Sequence, residues 1–215
     1  MVQKKESEPK RRGRPRAYDP AQALARAAET FWKAGYAGTS LDDLSEATGM
    51  NRPSLYAAFG DKRELYLKTL MYYRDEGREL ARQALADQPT LRVFLKRFYG
   101  KALDLYLDDG PRGCYSIGTA ATVAAVDDDV RDFLADSMRT TDGFLKNQIE
   151  KAKERGELAP EADAAALAYI ASATLHTLAI RSRAGLPRAE LNALITAAID
   201  VICGTPAVTP ARESC

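Results

Sequence analysis

Residues 49–62 read GMNRPSLYAAFGDK. Asn51 is a side-chain cap, Pro53 is tolerated in a first helical turn, and Gly60 closes the element after barely two turns. A helix that short is not stable alone in water, yet it carries Leu55, Tyr56 and Phe59. Its neighbours must hold it in place.

The flanking punctuation supplies those neighbours. Upstream, Thr39 and Ser40 precede LDDLSEATG, where Ser40 and Asp43 form a capping pattern and Gly49 suits a left-handed stop, so a helix is expected over about 41–48. Before that, Asp19, Pro20 and Gln22 open a first helix with Leu24, Ala27, Ala28, Phe31 and Trp32 at helical spacing and a stop at Gly35. Downstream, Asp61 with Glu64 caps a long fourth helix through about Ala86. Two short helices joined by a glycine-containing turn and backed by longer ones make a helix-turn-helix. Leu44, Ala47, Met50, Leu55 and Phe59 then face inward, and Arg52, Pro53, Ser54 and Tyr56 face outward toward DNA.

The remainder reads as further helices. Pro89 precedes 90–108, Asp127 to Asp129 open 128–155, Glu161 precedes 162–184, and Pro187 precedes 188–203. The segment from Asp127 places acids at its start and Lys151, Lys153 and Arg155 at its end, which suits a helix dipole. With no alternating strand pattern or Asn-Gly hairpin, the fold class is all-α, about nine helices. The organisation expected is a basic arm over 1–17, a helix-turn-helix domain over 18–65, a helical ligand-binding and dimerisation domain over 66–204, and a frayed tail, TPAVTPARESC, over 205–215.

With its preceding helix, the stretch TSLDDLSEATGMNRPSLYAAFGDKRELYLKTL resembles the DNA-binding domain of TetR-family transcriptional regulators. The matching positions are Thr39, Gly49, Leu55, Tyr56, Phe59, Lys62 and Leu65, covering about the first third of the chain. The resemblance implies a homodimeric repressor on a palindromic operator, with a C-terminal helical domain that dimerises and encloses a pocket for a small inducer. It places Thr39, Tyr56 and Lys62 at phosphates, with Ser40 beside them, and Arg52, Pro53 and Ser54 nearest the base edges. Ala58 departs from the pattern, since many members carry a phosphate-contacting His there. The resemblance also implies that ligand shifts helix four and moves the two recognition helices out of register with grooves about 34 to 36 Å apart.

Composition narrows the classes. The chain has 215 residues, 46% of them hydrophobic, and a net charge of +1 that hides an asymmetry. Lys4, Lys5, Lys10, Arg11, Arg12, Arg14 and Arg16 stand against Glu6 and Glu8, a net +5 that leaves −4 for the rest. Within this arm, RRGRPR resembles the core of an AT-hook, whose arginines (here Arg14 and Arg16) enter a narrow A·T minor groove; the alternative is a solubilising tail. No apolar run approaches a membrane span and no apolar segment follows the basic start, so a cytoplasmic protein is expected. Three distant cysteines, Cys114, Cys203 and Cys215, argue against a disulfide framework or a zinc site. With one histidine, His176, no phosphate loop and no nucleophile-base pairing, neither an enzyme nor a cofactor is expected.

Candidate sites in the body are less distinctive. Phe94, Phe98, Tyr99, Leu103 and Tyr106 crowd one helix with Tyr115 nearby, which suits either an apolar inducer pocket or plain core; Phe94, Phe98, Tyr106, Cys114 and Tyr115 are the pocket candidates. Cys114, at a helix start beside Arg112, suits either a reactive thiolate that senses electrophiles or oxidants, or a buried thiol. His176 reads as a core or interface residue. The face Leu191, Ile195, Ala198, Ile199 and Ile202 suits a dimer interface, or else packing within one subunit. The partners expected are double-stranded DNA, a second copy of the chain and an unidentified small inducer; the rival reading is an architectural protein of A·T-rich DNA.

Overall fold

The computed structural model describes residues 19–205, and it is all helical, with nine α-helices and no strand among the described residues. The basic arm with Arg14 and Arg16, and the tail beyond residue 205, lie outside the described residues. Helix α1 (Pro20–Gly38) starts on the Asp19 carboxylate, which accepts from the Ala21 amide at 2.9 Å. Gly35, at φ 72° and ψ 169°, is non-helical, so the regular helix stops there as expected and one further turn continues to Gly38 across a kink. Helix α2 (Leu41–Thr48) has both halves of its capping box: the Asp43 amide donates to Ser40 Oγ at 3.1 Å and the Ser40 amide to Asp43 Oδ2 at 2.7 Å. Gly49, at φ 69°, turns the chain, and Asn51 Oδ1 accepts from the Ser54 amide to start α3 (Arg52–Phe59). Asp61 and Glu64 cap α4 (Lys62–Ala84) in the same reciprocal way as α2.

Beyond α4 come α5 (Leu91–Leu107), a π-helical turn (Ser116–Ala120) that runs into α6 (Ala121–Val123), α7 (Asp128–Glu154), α8 (Ala164–Arg183) and α9 (Arg188–Cys203). Helix α8 starts two residues later than Glu161 suggested, because the Asp163 carboxylate accepts from the amides of Ala165 and Ala166. Short segments such as 116–123 carry too few residues for periodicity to declare them.

Two cores divide the interior. The first joins α1 to α4, with Phe31, Leu44, Leu55, Leu65, Tyr66 and Leu70 buried, and extends past residue 65 to Tyr73, Tyr115, Val130 and Phe133. The domain edge expected at 65 therefore does not divide the packing, since α4 runs through both cores. The second core packs α5 against α8 and α9 and α7 against α8. Close approach of α8 explains Gly113: at φ 63°, any Cβ there would lie 2.4 Å from the Ala179 carbonyl oxygen. Helix α8 is long and apolar enough by length and composition to cross a bilayer, a test that the core helix of a folded domain also passes. In this fold it instead buries Ala164, Ala168, Ala171 and Leu178 between α5, α7 and α9.

A correction falls on α9. Leu191, Ile195, Ile199 and Ile202 are buried within a single chain, with Ala198 half-buried beside them. That face packs inside the subunit, and the large apolar side chains left exposed on α8 and α9 are Tyr169, Ile170, Ile180 and Val201.

Candidate nucleic-acid interface and interior cavity

The capped turns present one face of α3 to solvent. Arg52 and Pro53 are exposed, Ser54 is half-buried over the α3 cap, and Tyr56 is 47% exposed one turn along. Lys62, at the start of α4, holds its ammonium 4.5 Å over the Tyr36 ring. Ser40 is exposed, with its hydroxyl donating to Asp43 Oδ2 at 2.8 Å. Thr39 departs from its expected role: it is 1% exposed, and its hydroxyl donates inward to the Gly35 carbonyl at 2.8 Å. The Thr39 side chain thus bonds across the kink of α1. Ala58 is half-buried against the first core.

Two residues at this face escaped the sequence reading. The Lys68 ammonium donates to the Phe59 carbonyl at 2.7 Å, closing the C-terminus of α3. Asp42, in the first turn of α2, accepts from Arg52 Nε at 3.0 Å and from Arg52 Nη2 at 2.6 Å. Their separation of ten residues across a turn follows no helical spacing, so only the assembled motif reveals the pair.

Between α4, α5, α7 and α8 lies a cavity of about 470 Å³. Its wall takes Tyr73 and Gly77 from α4, Phe98, Ala102 and Tyr106 from α5, Ser137, Thr141 and Phe144 from α7, and Leu175 and His176 from α8, with Cys114 between. Of the sequence candidates, Phe98, Tyr106 and Cys114 meet there. Phe94 does not: it is 1% exposed, stacked on Phe98 at 5.6 Å and edge-on to Phe144. Tyr115 does not either, because it is fully buried in the first core, and Thr69, which donates to the Tyr66 carbonyl, accepts from the Tyr115 hydroxyl at 2.7 Å.

Arg74, Arg78 and Arg82 of α4 also line the cavity, each ion-paired with an acid, and the rest of the wall is mostly neutral. The Tyr73 hydroxyl donates to Cys114 Sγ at 3.5 Å, and burial, with the thiol beside them, pushes both the Tyr73 and Tyr106 phenols well above their usual range. Burial lowers His176, against an opposing pull from Asp142, and so favours its uncharged form. Arg112 is not beside the thiol in the way the sequence suggested. Its guanidinium carbon sits 3.7 Å over the Trp32 ring, it bonds the Glu29 carboxylate, and its carbonyl accepts from Trp32 Nε1 at 3.2 Å.

A capped helix-turn-helix with an exposed second helix, carried on an all-helical body, defines a DNA-binding regulator by fold class. Residues 23–69 match the family of bacterial regulatory proteins described as tetR, and residues 93–199 match the tetracyclin repressor-like C-terminal domain. The HTH-type transcriptional repressor ComR of Escherichia coli (strain K12) is 30% identical over 82% of this chain and 85% of its own. YezE of Bacillus subtilis (strain 168), an uncharacterized HTH-type transcriptional regulator, is 31% identical over 73% of this chain and 81% of its own. Among solved structures, a cysteine mutant of the TetR-family regulator CifR complexed with 26bp double-strand operator DNA is 31% identical, with a TM-score of 0.80, over 87% of this chain and 98% of that one. The chain belongs to the tetR family and is a DNA-binding transcriptional regulator.

Proposed function

We propose that this chain is a homodimeric cytoplasmic repressor that binds a palindromic operator and is released when a small, largely apolar molecule occupies the interior cavity. The observation that carries the reading is the placement of Tyr73: it lines the cavity, and it belongs to α4, whose capped start at Asp61 follows directly on the end of α3. A ligand that moves α4 by differential contact with two arrangements shifts the population competent to bind two adjacent grooves. Arg52, Pro53 and Ser54 read base edges, while Tyr56, Lys62 and the α2 start with Ser40 meet phosphates; Arg14 and Arg16 extend the contact into the flanking minor groove. The dimer forms through the exposed side of α8 and α9, where Tyr169, Ile180 and Val201 stand in solvent.

The test is selection of bound fragments from sheared genomic DNA by the full-length protein. A dyad with half-sites about 10 to 10.5 base pairs apart, or a multiple of that, is expected; diffuse recovery of A·T-rich DNA without a dyad would overturn the repressor reading in favour of an architectural one. For the dimer, Tyr169→Asp with Ile180→Asp should halve the mass in solution while leaving the helical signal intact. An unchanged mass would place the interface elsewhere.

A second reading, in which the ligand reacts with Cys114, is favoured by the position of that thiol in the cavity wall under the Tyr73 hydroxyl. Under it, Cys114→Ser would abolish the response to a thiol-reactive probe such as N-ethylmaleimide while leaving operator affinity unchanged; a response that persists in Cys114→Ser would exclude it.

A further inference from the structure

Arginine carries five N–H donors in a planar fork, and which edge of the fork is free decides what it can recognise. In Arg52 the side edge, Nε–H with one Nη2–H, is bound by both oxygens of Asp42 at 3.0 and 2.6 Å. The edge that remains is the terminal one, Nη1–H with the second Nη2–H. Two parallel donors on that edge match guanine O6 and N7 in the major groove, the pairing an arginine makes most specifically with a base.

The stabilising value of the ion pair does not explain it. Both side chains are largely exposed, at 53% for Arg52 and 75% for Asp42, and exposed pairs contribute little to folding. On the face that meets a polyanion, moreover, a carboxylate repels phosphates and lowers affinity for every sequence. Asp42 does lie in the first turn of α2, where an acid favours the helix dipole, but Asp43 already occupies that turn and completes the capping box. What Asp42 adds is constraint: it joins the two helices of the motif through one side chain and occupies the side edge of the fork.

We propose that Asp42 is a positioning residue for specificity, holding Arg52 so that its terminal edge reads one guanine in each half-site. The inference rests on the reading of Arg52 as a base-contacting residue. Asp42 itself touches no base; it converts a flexible arginine, able to bond any nearby phosphate, into a fork of fixed orientation.

The experiment uses the full-length protein and duplexes built on the operator recovered by selection, each carrying one base-pair substitution, with dissociation constants measured for wild type, Arg52→Ala, Asp42→Ala and Asp42→Asn. Arg52→Ala should lose about 5- to 150-fold of discrimination at one base pair per half-site. Asp42→Ala should lose discrimination at the same base pair, by about threefold or more, while binding random duplex as tightly as wild type or more tightly. Asp42→Asn, which keeps one acceptor oxygen, should fall between. If Arg52→Ala relaxes a base pair and Asp42→Ala relaxes none, the positioning role is overturned and the arginine reading stands. If Arg52→Ala weakens all duplexes alike, both fall. A parallel loss across all duplexes in Asp42→Ala, accompanied by a lower melting temperature, would reduce Asp42 to a helix-stabilising acid and overturn the proposal.

Discussion

Around Tyr66 and around Phe98 the chain builds two aromatic interiors from similar residues, and they end in opposite conditions. In the first, Phe31 meets Tyr66 edge-on at 5.1 Å, Trp32 meets Tyr73 edge-on at 5.0 Å, and the inward hydroxyls pair among themselves: Tyr66 donates to Thr119 at 2.9 Å and Tyr115 to Thr69. In the second, Phe98 and Phe144 line a cavity of about 470 Å³ with Phe94 packed behind them, and the wall also includes Ser137, whose buried hydroxyl has no hydrogen-bond partner. A reader of DNA needs helices held at fixed angles, which a closely packed core provides. The second interior leaves a space unfilled, the space that the proposed inducer would enter.

That contrast can be broken most directly at one phenylalanine from each interior. Phe31→Ala should destabilise by about 3 to 5 kcal/mol in urea unfolding and abolish operator binding, because a fully buried ring leaves a void its neighbours cannot close. Phe98→Ala, at the cavity edge, already lacks contacts on one side and should cost at least about 1 kcal/mol less than Phe31→Ala. Equal losses would mean that the two interiors are equally packed. Ser137→Ala should be neutral or stabilising by up to about 1 kcal/mol, since it removes a polar atom that is buried without a partner.

The smallest effect belongs to His176. Its folded pKa lies below the ordinary value of 6.5, so the unfolded chain binds the extra proton first as pH falls. The contribution of the neutral ring is therefore fully present above about pH 6.5 and is lost as the pH drops through the lower folded value. His176→Gln should flatten the stability profile below pH 6.5; an unchanged slope would show that the cavity wall already admits water freely around the ring.

The first interior was legible in the sequence and the second only in outline, for a physical reason. Ser40 with Asp43, Asn51 before Pro53, and Asp61 with Glu64 are local signals, in which a side chain bonds a backbone amide three residues away. Those bonds fix helix ends without reference to the rest of the fold. The face of α9 carries no such information: Leu191, Ile195, Ile199 and Ile202 announce burial, but the same stripe serves contact within a subunit or between two. Tyr115 and Phe94 likewise announce an interior without saying which side of it is empty. The pairs that join distant segments, Asp42 with Arg52 and Arg112 with Trp32, have no spacing rule at all.

Trp32 is the only tryptophan in the chain. Its indole lies under the Arg112 guanidinium, donates to the Arg112 carbonyl and touches Tyr73 of the cavity wall, so a cation, a carbonyl dipole and a phenol all bear on one fluorophore. The molecule thus contains its own optical probe at the seam between its two interiors. Titrating a ligand and watching the colour and quenching of that single emission would report the seam's rearrangement in the unmodified protein, with no label attached and no DNA present.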